Sequence, residues 1–165
     1  MTAPRALPVS KVYPWRRDAE GNRICAVCNK RCSRKYCSDA CRNEAYVRCD
    51  PGYARFVVYR RDCGVCAVCG CDTDKIDRIL KWVRKFETRC DWGHWPGRRA
   101  AQATLGFTRD HLWEVDHIRP VAEGGGLCGL DNLRTLCTPC HDAETATLRR
   151  RLAAQGTADG NGKSA

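Results

Sequence analysis

The chain has 165 residues, 43% of them hydrophobic, with only three Phe and one Met, so a large apolar core is not expected. The 29 basic and 19 acidic residues give a net charge of +10, which favours a polyanionic partner but also fits a simple solubility role. The N-terminus lacks an apolar signal segment, and no apolar run reaches membrane-spanning length. We therefore expect an intracellular protein whose 14 cysteines stay reduced, with no membrane partner.

Residues 1–20 contain three prolines and show no helical or strand period, which predicts a flexible arm. Its basic residues either touch a phosphate backbone or form a solvated tail; they are Arg5, Lys11, Arg16 and Arg17.

Residues 21–50 carry two cysteine pairs with the spacing of a zinc finger. The four predicted ligands are Cys25, Cys28, Cys37 and Cys41, with Cys32 competing with Cys28. Ser38 is placed to cap a short helix that presents Cys41, and the segment resembles small treble-clef-like fingers. The finger either contacts DNA through its basic residues or is a structural or protein-contacting module; these residues are Lys30, Arg31, Arg34 and Lys35.

After an apolar segment at 53–62, for which helix and strand stay open, two overlapping Cys-x-x-Cys frames occur between Cys63 and Cys71. We prefer Cys66 and Cys69, because Gly70 follows where such a turn often needs positive φ. A helix is predicted over 72–88, with an apolar stripe at Ile76, Ile79, Leu80, Val83 and Phe86. Its basic face is either solvated or lies along nucleic acid.

Residues 89–111 show no clear period and predict an irregular loop, in which His94 and His111 lack the spacing of metal ligands. Strands are predicted at 112–118 and 133–137, followed by a helix from Pro139 to about Leu152. The polar, glycine-containing residues 153–165 predict a disordered tail.

The last part of the chain joins a possible hydrolytic site to a zinc knuckle. Asp116-His117 follow the first strand, a glycine run spans 124–126, and Asn132 precedes the second strand. The knuckle is Cys137-x-x-Cys140, followed directly by His141. We predict a second zinc ion on Cys66, Cys69, Cys137 and Cys140; if either of the first two is misassigned, His141 becomes a zinc ligand instead.

This order resembles the HNH endonucleases, whose ββα-metal site is named for a His, an Asn and a His. The resemblance implies a small, zinc-stabilised α+β fold, with a nuclease domain over 51–152 behind the N-terminal finger. It also implies Asp116 and His141 as ligands of a catalytic Mg²⁺ or another divalent ion such as Mn²⁺, Ni²⁺ or Zn²⁺. His117 is then the general base, since an imidazole can accept a proton at neutral pH.

In the same reading the Asn132 amide braces the loop against the strand that carries His117, although an ordinary turn Asn gives the same sequence. Arg119 and Arg134 are candidate phosphate contacts, and the products carry 5′ phosphate and 3′ hydroxyl groups. DNA is the expected substrate, inside the nucleus if the source is eukaryotic. The rival hypothesis is a non-catalytic zinc-finger module that binds nucleic acid or recruits partners.

Overall fold

The computed structural model of the chain describes residues 8–87 and 97–160 and divides into two units. Unit 1 joins the described residues up to Asp62 with Val115–Arg134. Unit 2 joins the described residues of Cys63–Glu114 with those from Thr135 onward. This division differs from the predicted boundaries after residues 50 and 152, but the elements are those of a small α+β protein, as predicted.

Unit 1 begins with a helical turn and a hairpin that the sequence did not predict. Helix α1 spans Val9–Val12, and β1 (Arg16–Arg17) pairs antiparallel with β2 (Arg23–Ile24). The Asp18 carboxylate accepts the backbone N–H groups of Glu20 at 3.1 Å and Asn22 at 2.8 Å, which closes the turn. The prediction of a flexible arm is therefore wrong for residues 8–20, whereas Arg5 lies outside the described residues.

Two helices pack against the tip of the later hairpin inside unit 1. Helix α2 spans Asp39–Cys49, and the Ser38 hydroxyl accepts the backbone N–H of Cys41 at 3.2 Å, the predicted cap. Helix α3 spans Pro51–Asp62, which resolves the open choice between helix and strand. A cluster of four buried side chains holds these parts together: Val47, Ala54, Val58 and Leu133. This shared cluster explains why the finger does not end as a separate domain at residue 50.

Unit 2 contains the predicted central helix, α4, over Thr73–Glu87. The Asp72 carboxylate accepts the Lys75 backbone N–H at 2.8 Å and so caps the helix. Of the predicted apolar stripe, Leu80 is fully buried and Ile76 packs against the core, but Ile79 is exposed. Helix α5 spans Arg98–Thr104, where an irregular loop was predicted. His94 lies outside the described residues.

A strand–strand–helix segment ends the described chain, in the predicted order. Strands β3 (Trp113–His117) and β4 (Leu133–Cys137) form a two-stranded sheet, and helix α6 follows directly over Thr138–Gly160. The helix passes the predicted end at Leu152, so the prediction of disorder is wrong for residues 153–160. Ala153 and Ala154 are strong helix formers, which agrees with a helix that continues past Leu152.

The described residues include no helix that is both long enough and apolar enough to cross a membrane.

Candidate active site and zinc centres

Four thiols of the N-terminal finger converge as a candidate metal site. The sulfur atoms of Cys25, Cys28, Cys37 and Cys41 all lie within 4.8 Å of one another. The Cys28 and Cys37 sulfurs are 3.4 Å apart, and those of Cys37 and Cys41 are 3.5 Å apart. Cys32 is not part of the group, and its thiol instead donates to the backbone oxygen of Arg34. The geometry therefore fits tetrahedral Zn²⁺ on the predicted four residues.

A second group of four thiols lies within unit 2. It consists of the Cys66, Cys69, Cys137 and Cys140 sulfurs, again within 4.8 Å of one another. Gly70 has φ of 70°, the positive value predicted for the turn after Cys69. The Ala67 backbone N–H donates to Thr135 on β4 at 2.8 Å, so the first knuckle is attached to the strand that leads into the second. Cys63, Cys71 and His141 are not members of this group.

The first cysteine of each group is poised to ionise. Burial alone would raise the pKa of Cys25, but backbone N–H groups of the Cys25–Cys28 turn and of Cys37 lower it to about 6. Burial alone would also raise the pKa of Cys66, but the backbone N–H groups of Val68, Cys69 and Cys137 lower it to about 6. Since the thiolate is the form that binds metal, both turns favour zinc binding through their backbone.

Asp116 lies on β3 and forms an ion pair with Arg134 on β4. The Arg134 guanidinium donates twice to the same carboxylate oxygen, Oδ2, from Nε at 2.9 Å and from Nη2 at 2.8 Å. Both side chains are about four-fifths buried. Arg134 was predicted to contact phosphate, but the structure instead pairs it with the proposed metal ligand. The second oxygen, Oδ1, is not used by this pair.

His117 is the last residue of β3, directly after Asp116. Because successive side chains of a strand point to opposite faces, His117 lies on the face of Val115, away from Asp116. Its imidazole is half-buried and makes no hydrogen bond or ion pair with any other residue that the structure describes. The ring nitrogens therefore remain available for a reaction partner.

The Asn132 amide ties the glycine loop to the chain just beyond His117. Its Oδ1 accepts the Arg119 backbone N–H at 2.7 Å, and its Nδ2 donates to the carbonyls of Arg119 and Gly125, both at 3.1 Å. A Cβ at Gly125 would lie 1.8 Å from the Arg119 carbonyl oxygen, so only glycine fits this approach. These are the hydrogen bonds that the predicted brace would make, and the role of Asn132 in a reaction stays a prediction.

His141 occupies the first turn of α6, one residue after the last cysteine of the second thiol group. Its Nδ1 is buried and has no hydrogen-bond partner among the described residues; a carboxylate oxygen of Asp142 is 3.9 Å away. A buried ring nitrogen without a partner costs free energy unless something binds it. This orphaned atom fits the predicted role of a metal ligand.

Arg109, which the sequence did not single out, lies beside that turn within unit 2. Its Nη2 contacts the Asp142 carboxylate, and its Nη1 is 3.7 Å from the Glu114 carboxylate. The His111 imidazole lies 2.5 Å from the same Glu114 carboxylate and is half exposed. Asp142 is 33 positions from Arg109 along the chain, so no local spacing could have indicated this pair.

The basic residues predicted to contact nucleic acid have different surroundings. Arg119 donates from Nε to the Glu123 carbonyl at 2.7 Å and so closes the glycine loop. Arg31 is paired with the carboxylates of Asp18, at 2.9 Å, and Glu20. Lys30 is exposed, and Arg34 and Lys35 line a surface cavity. Lys30, Arg34 and Lys35, like Arg119, have no carboxylate partner among the described residues.

Comparison with known proteins identifies the class to which this site belongs. The sequence model of the HNH endonuclease family matches residues 105–147, which contain Asp116, His117, Asn132 and His141. The chain belongs to the HNH endonuclease family.

Particular relatives carry the same domain. The chain is 34% identical over 154 residues to the DNA annealing helicase and endonuclease ZRANB3 of Mus musculus, and 33% identical to that of Homo sapiens. Each match covers 83% of this chain but 14% of the relative, so the chain spans about one seventh of their length. It is also 35% identical to the solved human ZRANB3 HNH domain, covering 60% of this chain and 95% of that one, with a TM-score of 0.39.

Proposed function

We propose that this chain is a metal-dependent endonuclease that hydrolyses phosphodiester bonds in DNA. The observation that supports the proposal most directly is the two-sided hydrogen bonding of Asn132 to Arg119, two residues beyond His117. Such bonding fixes the loop where displacement of the base by about 1 Å would slow the reaction strongly. Asp116, His117 and His141 accompany it within the family segment.

His117 serves as the general base. Its imidazole accepts a proton from the attacking water, which an imidazole can do at neutral pH. The absence of a hydrogen-bond partner among the described residues leaves this nitrogen free for the water. Asn132 is a positioning residue that acts through the Arg119 backbone and does not touch the substrate.

Asp116 and His141 would hold one divalent ion. The donor set fits: a carboxylate with an oxygen that Arg134 does not use, and a buried Nδ1 without a partner. Mg²⁺ is the first candidate, with Mn²⁺, Ni²⁺ and Zn²⁺ as alternatives. When bound, the ion supplies positive charge beside the scissile phosphate and the leaving 3′ oxygen.

DNA is the substrate best supported by the net charge of +10 and by the relatives, which are named DNA annealing helicase and endonuclease. The products would carry 5′ phosphate and 3′ hydroxyl groups. Because zinc-bound thiolates need a reducing compartment, we expect the protein inside the cell, and in the nucleus if its source is eukaryotic.

A plasmid relaxation assay in Mg²⁺ or Mn²⁺ tests this function. The wild-type chain should nick or linearise supercoiled DNA, and His117→Ala should cleave at least about 100-fold more slowly because the general base is gone. DNA binding, measured by mobility shift, should be retained by the variant.

His111→Ala is the matched control, since it removes an exposed imidazole six residues earlier on the chain. It should cleave at the wild-type rate. Equal activity of wild type and His117→Ala would reject the enzyme and favour the rival hypothesis of a non-catalytic zinc module that binds nucleic acid or recruits partners.

A further inference from the structure

A cavity of about 650 Å³ lies on the surface of the zinc finger in unit 1. Four cationic side chains line it, Arg23, Arg34, Lys35 and Arg42, against a single carboxylate, Asp39. Its volume lies within the range of pockets that enclose small organic ligands, so it can admit a nucleotide. The excess of positive charge favours an anionic occupant.

Trp15 gives the cavity an exposed aromatic wall. The residue is 61% exposed, and the Arg23 guanidinium lies over its ring, 5.2 Å from the centroid. Arg23 is itself anchored by donating Nη1 to the Ser33 carbonyl at 3.2 Å. Exposed indole surface gains free energy when another flat group covers it.

The cations of the cavity differ in how far they are already neutralised. Arg42 is paired at 3.2 Å with Asp39, the carboxylate that lines the cavity. Arg34 and Lys35 have no carboxylate partner among the described residues, and Lys35 lies over the Tyr36 ring at 5.4 Å. The cavity therefore combines unneutralised charge with aromatic surface.

We propose that this cavity binds an unpaired nucleotide of single-stranded DNA, with its base stacked on Trp15 and its phosphate at Arg34 and Lys35. Aromatic platforms beside a basic groove are the common means of binding single strands, since every base has a face that can stack. In a duplex those faces are already stacked inside the helix. The inference deepens the proposed nuclease function and rests on it: the substrate would be DNA that contains an unpaired segment.

Fluorescence anisotropy with the His117→Ala chain, in the absence of added divalent ion, tests binding without cleavage. The probes are a labelled single-stranded oligodeoxythymidine and a duplex of the same length. Removal of one stacking contact, Trp15→Ala, should weaken single-strand binding by about tenfold and leave duplex binding nearly unchanged. Trp15→Phe should retain most of the single-strand affinity, because a phenyl ring also stacks.

Lys30→Ala is the control for charge, since it removes an exposed cation of the same finger that does not line the cavity. Arg34→Ala should weaken single-strand binding more than Lys30→Ala does. Unchanged zinc content in each variant establishes that the finger is intact. Because the experiment measures binding and not cleavage, its result can be interpreted even if the chain proves to have no nuclease activity.

Three outcomes would overturn the inference. The first is single-strand binding that does not change in Trp15→Ala, and the second is an equal loss for both probes. The third is displacement of the oligonucleotide by a polyglutamate peptide that is equally effective with Trp15 present and with Trp15→Ala. This result would assign the cavity to acidic protein segments.

Discussion

Asp116 and Arg134 form a partly buried ion pair in which the arginine engages one carboxylate oxygen only. The arrangement can fix the direction of Oδ1, but it also leaves a positive charge beside the proposed divalent ion. At an effective dielectric near 20, neighbouring like charges repel by several kcal/mol, so we expect repulsion to outweigh the gain from orienting one carboxylate.

Arg134→Gln should therefore bind Mn²⁺ more tightly, by about tenfold, because a like charge near the ion is removed. Isothermal titration of the zinc-loaded chain measures the affinity. Arg17→Gln, which changes an exposed arginine on β1, should leave the affinity unchanged. Weaker Mn²⁺ binding by Arg134→Gln would mean that carboxylate orientation outweighs charge repulsion.

Residues whose role depends on local spacing were predictable, and residues whose partners are remote were not. Each Cys-x-x-Cys turn is encoded within four residues. The position of Gly70 was therefore enough to choose Cys66 and Cys69 from the two overlapping frames. Arg31 and Arg134 find carboxylates 13 and 18 positions away. No pattern in the sequence distinguishes such a paired arginine from one that is free to bind phosphate.

The second thiol group joins elements that lie far apart along the chain. Cys69 and Cys137 are separated by 68 positions, yet their sulfurs lie 3.7 Å apart. Cys137 ends β4 and Cys140 lies in the first turn of α6, the turn that also carries His141. Metal at this group would thus fix the start of α6 relative to the first knuckle in unit 2.

Cys66→Ser should lower the zinc content from two ions to one per chain and destabilise unit 2, because a structural zinc contributes on the order of 10 kcal/mol. Elemental analysis and thermal unfolding measure the two effects. Cys63→Ser is the control, since Cys63 is exposed and stands outside both thiol groups. If Cys66→Ser still holds two zinc ions, the assignment of ligands in unit 2 is incorrect.

Regular elements with a strong period were predictable at this scale. The alternating strand that carries Asp116, the returning strand and α4 all lie close to their predicted positions. Helix α5 was not predictable, because its stability comes partly from Gln102, which is buried and donates to the Arg109 carbonyl. The hairpin of β1 and β2 depends on Asp18, a single turn residue that composition alone does not reveal.

Each unit has its own small core and its own thiol group. The buried cluster of unit 1 has four members and that of unit 2 has six. Clusters of this size bury little apolar surface, as the composition predicted. The division into units was not predictable, because it depends on which side chains of a continuous hairpin pack with which helices.

Removal of zinc with an excess of a strong chelator should unfold both units, since neither core is large enough to compensate. Far-ultraviolet circular dichroism should lose most of its helical signal, and Zn²⁺ but not Mg²⁺ should restore it. An unchanged spectrum, after elemental analysis has established that zinc is gone, would contradict the view that metal stabilises the fold.

In the proposed site, Asp116 and His141 hold a catalytic ion while His117 takes the proton. Isothermal titration with Mn²⁺ across Asp116→Asn, His141→Ala and His117→Ala, all retaining two zinc ions, separates these roles. We expect the first two variants to lose Mn²⁺ binding and His117→Ala to keep it. Equal Mn²⁺ affinity in all three variants would show that Asp116 and His141 are not the metal ligands.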